Sequence, residues 1–181
     1  IFIIFIWAFI FAYCFTAGAN RPNVLFIVSD DLNACLGSYG NEVCQTPNLD
    51  RLGRAHTHVA NSFTCQPVCG PARAVLQTGL YATNTTCFTN AVPLPEGSRS
   101  LAHYFGEAGY RTGYIGKWHL GSDPTGFDFW KILIGQGQYY DAPFQTEEGQ
   151  VETEGYVTDV ITDLAIDWLD GRENGKPFML M

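Results

Sequence analysis

The run Asn23-Val24-Leu25-Phe26-Ile27-Val28 is apolar after its first residue and leads directly into Ser29-Asp30-Asp31. A short, continuous apolar run that is rich in branched residues predicts a buried strand of a parallel sheet. Polar residues beyond the carboxyl end of such a strand lie where open α/β sheets place ligand sites. Two adjacent carboxylates repel each other and need a cation, and their oxygens suit Ca²⁺ or Mg²⁺. The alternative interpretation is a solvated Asp30-Asp31 turn.

The elements downstream of this strand alternate between helix and strand. A short helix through Leu101 and Phe105 precedes a second strand at residues 110–115. Apolar residues at three- and four-residue spacing predict an amphipathic helix over residues 154–170, and residues 176–181 begin another strand. We therefore predict an α/β fold in which a mostly parallel sheet is sandwiched by helices.

Residues 123–140 are rich in glycine and aromatic side chains, and we expect a loop there. The aromatic side chains fit either a wall against a sugar ring or a hydrophobic cover folded over the protein.

Composition limits the possible partners. The chain has 181 residues, of which 46% are hydrophobic and 15% charged, which suffices for one domain with a substantial core. A net charge of −8 opposes general electrostatic attraction to nucleic acid, so we expect no nucleic-acid partner. An anionic substrate would have to be held by a local cluster of cationic side chains.

Residues 1–19 form an uncharged apolar segment that ends in Ala17-Gly18-Ala19, which is typical of a signal peptide, here truncated at its start. The alternative is an N-terminal membrane anchor, but the run is short for a spanning helix. We therefore expect residues 20–181 to be exported, with no stable membrane span after cleavage. The location would be periplasmic, extracellular or lysosomal, depending on the host.

Export changes the interpretation of the cysteines. Without Cys14, five of the six cysteines are left, and an odd number in an exported protein indicates one unpaired, reactive thiol. If that thiol is Cys69, the other four can form two bridges, and the sequence does not choose among the three possible pairings.

A second functional motif is Cys69-Gly70-Pro71-Ala72-Arg73, which is followed by an apolar stretch and Thr78-Gly79. Pro71 suits the first position of a helix, and Gly79 suits the left-handed residue that ends one. Cys69 would then lie just before a helix N-terminus, where free N–H groups and the helix dipole favour an anion, with Arg73 one turn inside. The alternative is a buried or disulfide-bonded Cys69 before an ordinary helix.

A third motif follows the strand at residues 110–115. Lys117 and His119 alternate, so both side chains can point to one side of an extended segment. A cation and a titratable imidazole at the carboxyl end of a strand suit an anion site. The alternative is a surface lysine beside a structural histidine.

These motifs together resemble the type I sulfatases, the formylglycine-dependent enzymes of the alkaline phosphatase superfamily. The resemblance rests on Asp30-Asp31, on Cys69 to Arg73 with the trailing Thr-Gly, and on Gly116-Lys117-Trp118-His119-Leu120-Gly121. It implies that a maturation enzyme converts Cys69 to formylglycine, whose hydrate attacks the sulfur of a sulfate ester. Gln77 departs from the family, which usually has an apolar residue there.

The resemblance also implies roles for individual residues. The implied metal ligands, for Ca²⁺ or alternatively Mg²⁺, are Asp30, Asp31 and the modified Cys69. Arg73 would stabilise the hydrate, Lys117 would bind the sulfate, and His119 would hydrogen-bond the hydrate and help to deprotonate it. The expected substrate is a sulfated small molecule or a glycan, because the aromatic loop resembles loops of glycan-acting bacterial sulfatases.

Members of that family carry further metal ligands and another His and Lys later in the chain. We therefore expect residues 20–181 to be the N-terminal part of a sulfatase catalytic domain and to be inactive alone. Two alternatives stay open. One is a phosphodiesterase or phosphonate hydrolase of the same superfamily, and the other is an inactive, truncated glycan-binding relic.

Overall fold

The structure of the protein is a computed structural model that describes residues 21–173 and 175–181. The predicted signal peptide at residues 1–19 lies outside the described residues. A six-stranded sheet has the order β1-β6-β2-β3-β4-β5. Its strands are β1 (Val24–Leu25), β2 (Arg111–Lys117), β3 (Phe129–Leu133), β4 (Phe144–Thr146), β5 (Gly149–Val151) and β6 (Phe178–Leu180).

The strands on one side of this sheet are parallel. β6 lies between β1 and β2 and pairs with both, and β2 pairs with β3 in a register that sets Lys117 opposite Leu133. β4 and β5 continue the sheet as antiparallel strands. The prediction of a mostly parallel α/β sheet is confirmed, and the carboxyl ends of β1, β6, β2 and β3 open at one edge.

Helices cover both faces of the sheet, as predicted. The α-helices of the described chain are α1 (Pro47–Ala55), α2 (Cys69–Thr78), α3 (Ala82–Thr85), α4 (Leu101–Glu107) and α5 (Val157–Asp170). α5, which begins at Val157 rather than at residue 154, packs Trp168 against Ile115 and its neighbours. α4 packs Ala102 into a cluster with Tyr114. Because successive strand residues point to opposite faces, Tyr114 packs toward the helix layer on one face of the sheet and Ile115 toward the layer on the other. Within the described ranges, no helix is long and apolar enough to cross a membrane.

The first strand differs from its prediction. The apolar run at residues 23–28 forms a strand only at Val24–Leu25, and Leu25 and Ile27 are 52% and 76% exposed. The reason is topological, because in the described chain β1 is the outermost strand and pairs on one side with β6 alone. The prediction that β1 is a parallel strand is confirmed, whereas the prediction that it is buried is wrong.

The segment at residues 123–140 also differs from the predicted loop, because it contains β3. Trp130, Ile132 and Leu133 of this strand are buried. β4 and β5, a short hairpin of mostly polar residues, had no predicted counterpart. β3 extends the sheet beyond β2 and places its own end beside Lys117, and β4 and β5 continue the sheet from there.

Candidate active site

Charged and polar side chains meet where the parallel strands end. Asp30 lies beyond β1, Lys117 is the last residue of β2, and Gln136 lies beyond β3. The first two turns of α2 bring Cys69 and Arg73 to the same place, because Cys69 contacts Lys117 and Arg73 contacts Asp30. The topology therefore collects one thiol, two cations and a carboxylate from distant parts of the chain.

The start of α2 is built around a glycine. The helix begins at Cys69, slightly earlier than Pro71 predicts, and it ends as predicted at Gly79, whose φ is 69°. The N–H of Gly70 is one of the free donors of the first turn, and it donates to Asn90 Oδ1 at 2.8 Å. A Cβ atom at position 70 would lie 3.1 Å from both Asn90 Cα and the carbonyl oxygen of His119. The glycine therefore allows Asn90 and the His119 backbone to approach the turn that carries Cys69.

Arg73 ties this helix to the sheet. It is 7% exposed, and its guanidinium donates to Asp30 Oδ2 at 3.0 Å, to the hydroxyl of Tyr114 at 3.2 Å and to the carbonyl oxygen of Lys117. The Tyr114 hydroxyl in turn donates to the same carbonyl at 2.5 Å. Burial raises the pKa of Tyr114 although Arg73 acts in the opposite direction, so the hydroxyl keeps its proton at neutral pH.

Lys117 stands at the centre of the cluster. Its Nζ lies 2.8 Å from Asp30 Oδ2, 2.8 Å from Gln136 Oε1 and 3.5 Å from Cys69 Sγ. Its side chain is 9% exposed. Partial burial alone would raise the pKa of Asp30, but the hydrogen bonds and charges of Lys117 and Arg73 outweigh it, and the pKa lies below its ordinary value of 3.8. Asp30 is therefore a carboxylate at neutral pH.

His119 lies in the field of these charges. It adopts a positive φ of 57°, and its Nδ1 is buried without a hydrogen-bond partner in the described part of the chain. Desolvation, followed by the positive charges of Lys117 and Arg73, lowers the pKa of its imidazole below 6.5. The ring is therefore predominantly neutral at pH 7, and its unpartnered nitrogen is buried.

The predicted metal ligands are not all brought together. Across residues 21–173 and 175–181, no group of three or more His, Cys, Asp or Glu side chains could hold a metal ion. Asp30 is engaged by Arg73 and Lys117, and Asp31 is exposed with a φ of 51°. Calcium takes about six to eight oxygen ligands. The described residues supply only part of such a set, so the metal ligands Asp30, Asp31 and the modified Cys69 stay a prediction, and in this structure Asp30 is paired with cations.

The cysteines are not paired as export would allow. Cys35, Cys44, Cys65, Cys69 and Cys87 are all free thiols. Cys69 is half-buried, and its Lys117 neighbour gives it a setting that the other cysteines do not share among the described hydrogen bonds. The alternative of a disulfide-bonded Cys69 is therefore not what the structure contains.

Three residues of the site were not predicted from the sequence, namely Asn90, Tyr114 and Gln136. Asn90 lies in a loop without a recognisable pattern, and Tyr114 was counted only as a strand residue. A sequence feature could have indicated Gln136, because Gly135-Gln136-Gly137 comes one residue after a strand that is parallel to β2. Recognising β3 would have placed that turn at the same edge of the sheet as Lys117.

Comparison with known proteins gives a consistent result. The family model described as Sulfatase matches residues 22–181. The N-acetylglucosamine-6-O-sulfatase of Bacteroides thetaiotaomicron is 38% identical over 166 residues, which is 90% of this chain and 30% of that protein. The ulvan-active sulfatase of Formosa agariphila is 36% identical over 136 residues, covering 69% of this chain and 27% of that protein.

A solved structure, described as a complex with its substrate D-glucosamine-2-N,6-O-disulfate, superposes with a TM-score of 0.84 at 37% identity. The match covers 90% of this chain and 34% of that one. The chain thus spans about a third of the length of these relatives.

Proposed function

The chain belongs to the sulfatase family, and from that premise we propose that it carries the nucleophile, Cys69, of an exported sulfuric ester hydrolase that acts on a sulfated glycan. The family and the α/β fold are shared with relatives that include an N-acetylglucosamine-6-O-sulfatase and an ulvan-active sulfatase. The observation that supports the proposal best is the contact between Lys117 Nζ and Cys69 Sγ at 3.5 Å. The ammonium of Lys117 therefore lies beside the Sγ position of Cys69, where the hydroxyl of a formylglycine hydrate would act as the nucleophile.

We propose that a maturation enzyme of the host converts Cys69 to formylglycine. When hydrated, this aldehyde supplies a hydroxyl that takes the sulfuryl group from an alcohol, which is covalent catalysis. The position suits the conversion, because Cys69 is a half-buried free thiol in the first turn of α2. The helix dipole favours an anion at the same place, although the N–H groups of Gly70 and Ala72 are already bonded to Asn90 and Val68.

The surrounding residues have separable roles in this proposal. Lys117 binds a sulfate oxygen, since its ammonium faces Cys69 and is held by Asp30. Arg73 keeps the start of α2 against the carboxyl end of β2, and it contributes a second positive charge. His119, neutral at pH 7, is assigned the role of accepting a hydrogen bond or a proton from a hydroxyl at position 69, because its backbone carbonyl lies against Gly70, the residue after Cys69. The cations offset the negative charge that grows on the transferring group.

A Ca²⁺ ion, or alternatively Mg²⁺, stays part of the proposal, with Asp30 and Asp31 among its oxygen ligands. The described residues supply too few donors for it, so the roles above are assigned to the protein side chains alone. Because the chain covers about a third of its relatives, activity would also depend on residues other than those described.

The test is peptide mass spectrometry and turnover on the full-length protein, made together with a maturation enzyme. We expect formylglycine at position 69 and hydrolysis of 6-O-sulfated N-acetylglucosamine that is lost on chelation and restored by Ca²⁺. Cys69→Ala removes activity, whereas Cys65→Ala, at an exposed cysteine in the preceding loop, does not. An unmodified Cys69 in a competent host refutes the mechanism. A preference for phosphonate or phosphodiester substrates supports the related hydrolase instead.

A further inference from the structure

Gln136 is in direct contact with the central cation. Its side-chain Oε1 accepts a hydrogen bond from Lys117 Nζ at 2.8 Å, the same distance at which Nζ meets Asp30 Oδ2. The residue itself is exposed, whereas the side chain of Lys117 is 9% exposed. Gln136, like Asp30, is thus an exposed neighbour of an ammonium that is itself largely buried.

The position of Gln136 follows from strand register and turn geometry. Leu133, the last residue of β3, is the register partner of Lys117. The chain then turns immediately, because the N–H of Gly137 donates to the carbonyl of Ile134 at 3.1 Å. Gly135 and Gly137 have φ values of +60° and +80°, which glycine adopts without strain. The tight turn therefore keeps Gln136 beside the end of β2 rather than letting it extend into solvent.

A lysine ammonium has three N–H donors, and here three acceptors surround it: Asp30, Gln136 and Cys69. Lysine is flexible, and a single anchor leaves the ammonium free to rotate and swing. Two strong oxygen acceptors fix two of the donors, so the third is directed at Cys69. Gln136 does this as a neutral amide, so it orients the ammonium without cancelling its charge.

We propose that Gln136 is a positioning residue that, together with Asp30, directs Lys117 toward the group transferred at Cys69. The inference rests on the proposed function, in which Lys117 binds a sulfate oxygen. This positioning role also explains why residue 136 has an amide side chain rather than a carboxylate. A second carboxylate would hold the ammonium as firmly but would weaken its attraction for an anion.

The experiment compares Gln136→Leu, which removes the acceptor, with Gln136→Glu, which keeps it and adds a negative charge. Gln138→Leu, at an exposed glutamine of the same loop, is the matched control. Each variant is made in the full-length, formylglycine-bearing protein. The readouts are kcat and KM for 4-nitrophenyl sulfate and, independently of turnover, the dissociation constant of inorganic sulfate by calorimetry.

We expect Gln136→Leu to lower kcat about tenfold with a smaller change in KM, because the ammonium is no longer oriented. Gln136→Glu should raise KM and the sulfate dissociation constant about tenfold while kcat stays closer to that of the wild type, because the added charge repels the anion. Gln138→Leu should differ from the wild type by less than about twofold in each quantity.

The proposal is overturned if Gln136→Leu behaves like Gln138→Leu, or if the Leu and Glu variants share one kinetic profile, as a purely structural role in the loop would produce. It is also overturned if the wild-type protein has no measurable affinity for sulfate. A protein that binds sulfate with the expected dependence on Gln136 but hydrolyses no sulfate ester would refute the proposed function and support the positioning of Lys117.

Discussion

Arg73 and Asp30 form an ion pair, with Arg73 Nη2 3.0 Å from Asp30 Oδ2, that joins the first turns of α2 to the segment beyond β1. The arginine side chain is 9% exposed and that of the aspartate 31%. The pair therefore contributes more than a surface ion pair, since the guanidinium also satisfies Tyr114 and the carbonyl of Lys117. Removing Arg73 would leave three acceptors without this donor.

We predict that Arg73→Met lowers the free energy of unfolding by about 1–3 kcal/mol, because it leaves partly buried acceptors without a hydrogen-bond donor. Urea denaturation at neutral pH measures the change. Arg54→Met, at an exposed position near the end of α1, is the control and should stay within about 0.5 kcal/mol of the wild type. Equal losses in the two variants would mean that the Arg73 contacts do not stabilise the fold.

A second prediction concerns the pH dependence of His119. Its pKa is lowered from 6.5, first by desolvation and then by Lys117 and Arg73. The unfolded chain therefore binds a proton more readily, so this contribution to stability is complete above pH 6.5 and decreases as the pH falls below it. An NMR titration of the imidazole should give a midpoint below 6.5.

Lys117→Met should move that midpoint upward, because one of the positive charges that oppose protonation is removed. Lys176→Met, at an exposed residue just before β6, serves as the charge-matched control and should leave the midpoint unchanged. A midpoint of 6.5 or higher in the wild type would contradict the arrangement of charges around His119.

Local patterns were enough to predict the part of the fold that carries the motifs. A local period or composition predicts three elements without any knowledge of distant contacts. They are the apolar strand β2, the amphipathic helix α5 and the final strand β6. Cys69, Arg73 and Lys117 were predicted to share a site, and the structure brings them together with Asp30. Their motifs lie at strand and helix ends, where topology fixes their positions.

The remaining features depend on contacts that are distant in sequence. β3 was missed because its aromatic residues lie among glycines and were interpreted as a loop, so Gln136 could not be placed beside Lys117. The burial of β1 was overestimated because an apolar run does not say how many neighbours a strand has. The contact of Asn90 with Gly70 has no local signature at all.

Asn90 gives a prediction about the nucleophile helix. Its Oδ1 accepts the Gly70 N–H at 2.8 Å, as a capping side chain does in a helix first turn. Asn90→Ala should cost about 1 kcal/mol of stability, and it should lower turnover because the turn that carries Cys69 is less firmly held. Asn90→Asp keeps the acceptor and should restore most of the stability. Asn61→Ala, in an exposed loop, is the control.

The last prediction concerns Gln77, which stands where the family usually has an apolar residue. The side chain is 2% exposed, and its Nε2 lies 3.2 Å from Met181 Sδ. Its Oε1 is buried without a hydrogen-bond partner within the described residues. A buried, unpaired acceptor costs about 1–3 kcal/mol, whereas an amide bonded to a thioether gains little in return.

We therefore predict that Gln77→Leu, which has similar volume and no polar atom, raises the free energy of unfolding by about 1 kcal/mol. Thermal and urea unfolding, with Gln138→Leu as the exposed control, measure the effect. A loss of stability in Gln77→Leu would mean that the amide has a partner that matters more than its burial. In that event Gln77→Met, which keeps an unbranched side chain but no amide, should be destabilised as well, and this separates a lost hydrogen bond from a misfit of the branched leucine.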